Sequence, residues 1–108
     1  MPKREKWRYA VVKVEGGVKL GAIEAIVQGL VQRVYGIRGL AETSPSIVHL
    51  DETRRIAVVK VRRDFLQTFR AALELAPRNT PALLRIIRVT GTLKAAKRYV
   101  ASLPKEPV

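Results

Sequence analysis

The spacing of the apolar residues changes along this chain in a fixed order, and that order limits the folds open to it. Trp7 to Val14 is dense in Trp, Tyr, Val and Ala and reads as a strand, which Gly16-Gly17 breaks. From Leu20 the period lengthens. Leu20, Ile23, Val27, Leu30, Val31 and Val34 fall at helical spacing and predict one amphipathic helix, ended by Gly36 and Gly39. Within it, Gly21 and Gly29 weaken the helix and suggest that another backbone packs closely there.

Ser46 to Leu50 reads as a short strand after Pro45, and Arg55 to Val61 as a second with an apolar centre. The polar Asp51-Glu52-Thr53-Arg54 between them predicts a hairpin. Asp64, with Gln67 three residues on, predicts the cap of a second helix bearing Phe65, Phe69, Ala72, Leu73 and Ala76 on one face and stopped by Pro77. Leu83 to Val89 suits a helical face through Leu83, Ile86 and Ile87, with Pro81 at a first helical position. Its β-branched run and short length favour a strand. Thr92 caps a last helix with Leu93, Ala96, Val100 and Leu103 on one face, and Pro104 stops it.

The resulting order, β-α-β-β-α-β plus a C-terminal helix, is that of a ferredoxin-like, RRM-like α+β sandwich. Its four-stranded antiparallel sheet carries two helices on one face. The extra helix is expected on part of the other face or at an edge. A length of 108 residues suits one such domain, with residues 1–6 as a basic arm and 104–108 as a short tail. A hydrophobic fraction of 47% is enough for a folded core.

Charge supplies the functional clue. Lys and Arg number 21 against 9 Asp and Glu, a net charge of +12, which predicts a polyanion partner, most simply nucleic acid. A merely solubilising charged face is the plainer explanation, but balanced charge would provide that with less self-repulsion. The cations are clustered. Leu75 to Lys105 contains Arg78, Arg85, Arg88, Lys94, Lys97, Arg98 and Lys105 and no acid. The N-terminal arm holds Lys3, Arg4, Lys6 and Arg8 against Glu5, and Arg54-Arg55 and Lys60, Arg62 and Arg63 flank the third strand. Arg predominates over Lys, which suits bidentate phosphate contacts.

Catalytic constellations do not stand out. His49, the only His, lies in an expected strand and reads as an ordinary strand residue, since general-base work needs a positioned partner. The acids are scattered, Asp51-Glu52 suits turn chemistry, and residues 17–21 lack the phosphate-loop pattern. With no Cys there is neither a disulfide framework nor a Cys-based zinc site. No apolar run reaches membrane-spanning length and no secretory signal is recognisable, so an intracellular setting without a membrane partner is expected.

Two local features stay open at this point. Thr90-Gly91-Thr92 joins a strand to a helix, where free N–H groups favour an anion, yet a plain turn and cap explain it equally well. Trp7 and Tyr9 share a strand face. The third strand has no aromatic, so base stacking of the usual RRM kind is not expected, and packing under the C-terminal helix or in an interface is the simpler reading.

The ordered motifs resemble those of the ribonuclease P protein component 2 family of archaea, with eukaryotic counterparts in ribonuclease P and RNase MRP. They are Arg8-Tyr9-Ala10-Val11-Val12-Lys13-Val14, Tyr35-Gly36-Ile37-Arg38-Gly39-Leu40-Ala41, Ile56-Ala57-Val58-Val59-Lys60-Val61, Ala71-Ala72-Leu73 and Arg88-Val89-Thr90-Gly91-Thr92-Leu93-Lys94, spread over residues 7–101. The last is the most specific; Thr90 stands where Ser is usual and Leu93 where Ile is usual.

The resemblance implies a subunit of the ribonucleoprotein that removes the 5′ leader of precursor tRNA, an endoribonuclease whose RNA carries the catalysis with Mg²⁺. It implies that this chain binds no cofactor of its own, binds the ribonuclease P RNA, pairs with the TIM-barrel-like protein component 3 and meets precursor tRNA only indirectly. It leaves room for two copies to meet in a heterotetramer, and it implies an archaeal cytoplasmic setting. The expected RNA contacts are Lys3, Arg4, Lys6, Arg8, Arg54, Arg55, Arg85, Arg88, Thr90, Gly91, Thr92, Lys94, Lys97 and Arg98. Two other readings compete. One is a stand-alone basic ferredoxin-like module on RNA or DNA. The other is a ligand-sensing or purely oligomeric domain, which leaves the +12 unexplained.

Overall fold

The computed structural model describes residues 6–75 and 83–105. Its strands are β1 (Trp7–Glu15), β2 (Ser46–Asp51), β3 (Ile56–Arg62) and β4 (Leu83–Thr90), and its helices are α1 (Ile23–Thr43), α2 (Leu66–Glu74) and α3 (Leu93–Ser102). Single 3₁₀ turns, Leu20–Ala22 and Arg63–Phe65, lead into α1 and α2. The strands form one antiparallel sheet in the order β2-β3-β1-β4. This is the split-βαβ arrangement expected from the element order.

The two central strands carry uninterrupted apolar runs because both faces of the sheet are covered. Ala10, Val11 and Val12 of β1 and Ala57, Val58 and Val59 of β3 are fully buried. Alternate residues divide them between two cores. Ala10, Val12, Val14, Ala57, Val59 and Val61 pack with Ile23, Val27, Leu30 and Val31 of α1 and Phe69, Ala72 and Leu73 of α2. Val11, Ile56 and Val58 pack on the opposite face with Ala96 and Val100 of α3, joined by Tyr9, Val48, Ile87, Leu93, Tyr99 and Leu103. The C-terminal helix is thus a lid on the second face.

Both edge strands contain a bulge. Val11 pairs with Arg88 while Val12 pairs with Ile86, so Ile87 is the extra residue in β4. Ile47 pairs with Val59 while His49 pairs with Val58, so Val48 is the extra residue in β2. Each inserted side chain joins the core beneath α3. Each bulge also shifts the alternation by one residue. Leu84 and Ile86 face α1 and α2. Without the bulge Arg88 would follow them into that core; with it, Arg88 stands opposite Val11 on the α3 side.

Several local expectations change. The first helix is interrupted at Gly36 (φ 75°, ψ −176°), a conformation nearly confined to glycine, as expected of a stop there, but helix resumes beyond it, passes Gly39 and runs to Thr43. Gly39 lies in the restarted segment, where a Cβ would collide with Cβ of Tyr35. At Gly21 and Gly29 an added Cβ would meet nothing within 4 Å, so no backbone packs there.

Asp64 does not cap α2. It sits inside the 3₁₀ turn Arg63–Phe65 that precedes the helix, and the N-cap position, Phe65, makes no side-chain capping bond. Phe65 is only half-buried, unlike Phe69. Arg55 belongs to the hairpin turn rather than the strand, in the left-handed region at φ 55°. Leu83–Thr90 is strand throughout, and Thr92 caps α3 as expected, its hydroxyl accepting the Ala95 N–H at 3.1 Å. Ala76, Pro77 and Pro81, and with them the expected stop of α2, lie outside the described residues.

Candidate nucleic-acid interface

The sheet register brings the Thr90-Gly91-Thr92 turn beside the start of β1. Tyr9 pairs with Thr90, and the Arg8 guanidinium lies 4.0 Å from where a Gly91 Cβ would sit. That guanidinium also donates to the Trp7 carbonyl at 2.9 Å. The turn is internally closed: the Thr90 hydroxyl donates to the Thr92 carbonyl at 2.8 Å, and the Thr92 hydroxyl caps the helix. Gly91 and Thr92 remain exposed, with Lys94 following.

Helix α3 has an unusual charge arrangement. Ala96 and Val100 face the sheet, and Lys94, Lys97 and Arg98 are exposed on the outer side. Like charges at i,i+3 and i,i+4 repel. Lys94 also stands in the first turn, at the positive end of the helix dipole, where no acid offsets it, and the last turn has no base. Every local electrostatic effect opposes this placement, so folding alone does not account for it. An anion set against the start of the helix would be attracted by the dipole and by all three cations, offsetting their repulsion.

The other expected contacts divide into those held by the fold and those left outward. Arg54 is held. Its guanidinium donates to the Asp51 carboxylate at 2.9 Å, to the Leu103 carbonyl at 2.8 Å and to the Ala101 carbonyl at 3.3 Å, tying the hairpin turn to the end of α3. Its side chain is 16% exposed. Arg55 is held likewise, donating to the carbonyls of Gly16 and Val18 at 2.9 and 2.7 Å. The two arginines that look most alike in the sequence thus clasp two different loops.

Arg85 reaches Glu15 on β1 at 3.4 Å, with both side chains largely in solvent. Arg88 stacks on Tyr99, its guanidinium carbon 4.9 Å from the ring centroid. Lys6 is exposed. Lys3 and Arg4 lie outside the described residues.

Asp51 anchors the turn that Arg54 closes. Burial pushes its carboxyl up. Hydrogen bonds from the Thr53 hydroxyl, the Arg54 N–H and the Arg54 guanidinium, with that cation's charge, outweigh the burial and hold it below the ordinary value of 3.8.

Three residues noted in the sequence but not counted among the expected RNA contacts, Trp7, Lys60 and Arg62, form a further group. Trp7 pairs with Arg62 and Tyr9 with Lys60 across β1 and β3, on the α3 side of the sheet. The Lys60 ammonium lies 4.3 Å from the Trp7 ring centroid and the Arg62 guanidinium carbon 5.9 Å. Tyr9 packs in the core beneath α3 as expected, but Trp7 belongs to neither core. The sequence signals were the shared face of Trp7 and Tyr9 and the cations flanking the third strand; the register that sets Lys60 and Arg62 against the indole comes only from the strand pairing.

Among the described residues no three His, Asp or Glu side chains converge to hold a metal ion, and no helix is long and apolar enough to cross a membrane.

Fold and surface together define a class: a ferredoxin-like domain with a helical lid on its second sheet face and a cationic outer shell. Within that class, a model of the Rpp14/Pop5 family matches residues 8–101, and the chain belongs to this family. It is similar to the ribonuclease P protein component 2 of Thermococcus gammatolerans, 31% identical over 88% of this chain and 82% of that protein. It is also similar to that of Methanopyrus kandleri, 28% identical over 94% of this chain and 68% of that protein. Among solved structures, a chain of yeast ribonuclease MRP, seen by cryo-EM, superposes with a TM-score of 0.65 at 13% identity, covering 94% of this chain and 90% of that one. That likeness establishes the fold.

Proposed function

We propose that this chain is a non-catalytic protein subunit of ribonuclease P, the ribonucleoprotein that removes the 5′ leader of precursor tRNA. Family membership and the named relatives support the complex. The observation that carries the mechanism is α3, whose exposed Lys94, Lys97 and Arg98 repel one another, with Lys94 in the first turn and no compensating acid there. An RNA phosphate backbone is the polyanion for which such a helix is arranged.

In this reading the chain works by charge neutralisation. A folded catalytic RNA packs phosphates against one another. Cations fixed on a rigid sandwich offset that repulsion without the entropy loss of gathering free ions, so the RNA reaches its active fold at lower Mg²⁺. The Mg²⁺ belongs to the RNA, which performs the hydrolysis; the chain meets precursor tRNA only through that complex. Protein component 3 is the expected protein partner, in an archaeal cytoplasmic setting, and two copies of this chain are expected to meet in a heterotetramer with it.

Titration of the full chain against the ribonuclease P RNA at several salt concentrations tests the RNA step. About six neutralised phosphates give a loss of roughly a thousandfold in affinity between ~50 and ~200 mM salt. Affinity flat in salt would overturn charge neutralisation. Co-purification with component 3 separates the subunit from a stand-alone RNA-binding module, which would bind RNA and leave that protein behind. The mass of the co-purified complex reads its stoichiometry.

A further inference from the structure

Trp7 is a large aromatic residue that joins neither apolar core. It stands on the α3 side of the sheet, opposite Arg62, and α3 covers only the neighbouring part of that face, over Tyr9, Val11, Ile56 and Val58. Two cations approach its half-buried ring, Lys60 at 4.3 Å and Arg62 at 5.9 Å from the centroid. No ion pair joins Lys60 to a carboxylate among the described residues. Lys6, exposed at the start of β1, and Arg63, just past β3, extend the positive charge around this corner.

An indole held beneath cations has the two components of a single-strand site, an aromatic face for a base and positive charge for the phosphate beside it. It also has a physical means of exchange. A stacked base stabilises an aromatic face more than an exposed cation–π contact does, and an ammonium displaced from the ring finds a stronger partner in a phosphate. We propose that the Trp7–Lys60–Arg62 corner binds an unpaired stretch of RNA. A base takes the indole face, Lys60 moves onto a flanking phosphate, and the charge of Arg62 stays beside the strand. This rests on the reading of the chain as an RNA-binding subunit and adds a contact separate from α3, on the side of the sheet that α3 leaves open.

Trp7 is the only tryptophan, so its fluorescence reports this corner alone. The full chain is titrated with a ten-nucleotide oligouridylate, with a blunt RNA duplex and polyglutamate as comparisons. The expected result is quenching of Trp7 emission by the oligouridylate and little by the duplex. Two neutralised phosphates on a single strand give about a sevenfold loss of affinity between ~50 and ~200 mM salt. Lys60→Gln with Arg62→Gln should abolish the quenching, and Lys60→Arg should retain it.

Oligouridylate bound, by anisotropy, with Trp7 emission unchanged would overturn the site. Quenching by polyglutamate equal to that by RNA would also overturn it, assigning the corner to an acidic protein segment. The two readings fail separately. Bound ribonuclease P RNA with silent Trp7 removes this corner and leaves the subunit intact. Quenching by oligouridylate without binding to ribonuclease P RNA removes the subunit and leaves the corner.

Discussion

The Arg88 guanidinium carbon lies 4.9 Å from the centroid of the Tyr99 ring, linking β4 to α3. The contact exists because the bulge at Ile87 turns Arg88 from the α1–α2 core to the opposite side of the sheet. Stacking fixes the guanidinium plane and leaves its N–H edges for a phosphate. Arg88→Ala is expected to cost about 0.5–1 kcal/mol of stability, the worth of an exposed cation–π contact. It should lower the salt slope of RNA binding by about one unit. Arg88→Lys should preserve most of the salt slope, because charge remains, yet lose affinity through the lost planar geometry. Urea unfolding and salt titration separate the two effects.

Lys94 should act oppositely on folding and on binding. It occupies the first turn of α3, where the helix dipole disfavours a cation. Lys94→Glu is expected to stabilise the free protein by about 0.3–1 kcal/mol at low salt and to weaken RNA binding. Thermal unfolding in parallel with RNA titration checks this. Loss of stability in the variant would mean that the charge of α3 serves the fold.

Arg54 should show the reverse pattern to Arg88. Its hydrogen bonds to Asp51, Ala101 and Leu103 secure the end of α3 to the hairpin turn. Arg54→Ala is expected to destabilise by about 2–3 kcal/mol, as for loss of charge-assisted hydrogen bonds that leaves the Asp51 carboxylate without its cation. It should alter the salt slope of RNA binding little. Denaturant midpoints and binding slopes measured on the same preparation decide it.

The same clasp sets an acid limit. The folded Asp51 carboxyl lies below its ordinary 3.8, so the unfolded chain binds this proton more readily. The associated stability is present above the unfolded value and disappears as the pH falls through the folded one. Stability from this group should be constant between pH 5 and 7 and decline below about 4. Asp51→Asn should reduce that decline and be less stable than the parent at pH 7. An unchanged acid limb would show that Arg54 does not hold Asp51 ionised.

The fold was legible wherever residues signalled through their neighbours in sequence. The apolar runs Ala10–Val12 and Ala57–Val59 announced central strands, and Thr92 with its helical face announced α3. Legibility failed where a distant partner decides. Arg54 and Arg55 look like a basic pair offered to RNA, but their acceptors lie 47 to 49 residues away at the end of α3 and 37 to 39 away after β1.

Gly36 and Gly39 read as a helix end because glycine marks both ends and kinks; only the backbone shows a restart to Thr43. Asp64 had the composition of a cap, yet a 3₁₀ turn occupies the place where it would have acted. The bulges that direct Arg88 depend on register between strands, which no local pattern contains.

The central claim is that the chain's cations replace Mg²⁺ in stabilising a catalytic RNA, and Mg²⁺ titration of precursor-tRNA cleavage tests it most directly. The ribonuclease P RNA is assayed alone, with component 3, and with component 3 plus this chain. Adding the chain should move the Mg²⁺ midpoint to lower concentration, and the Lys94→Ala, Lys97→Ala, Arg98→Ala triple variant should move it part of the way back. A midpoint unchanged by the chain at every ratio to RNA would contradict the account.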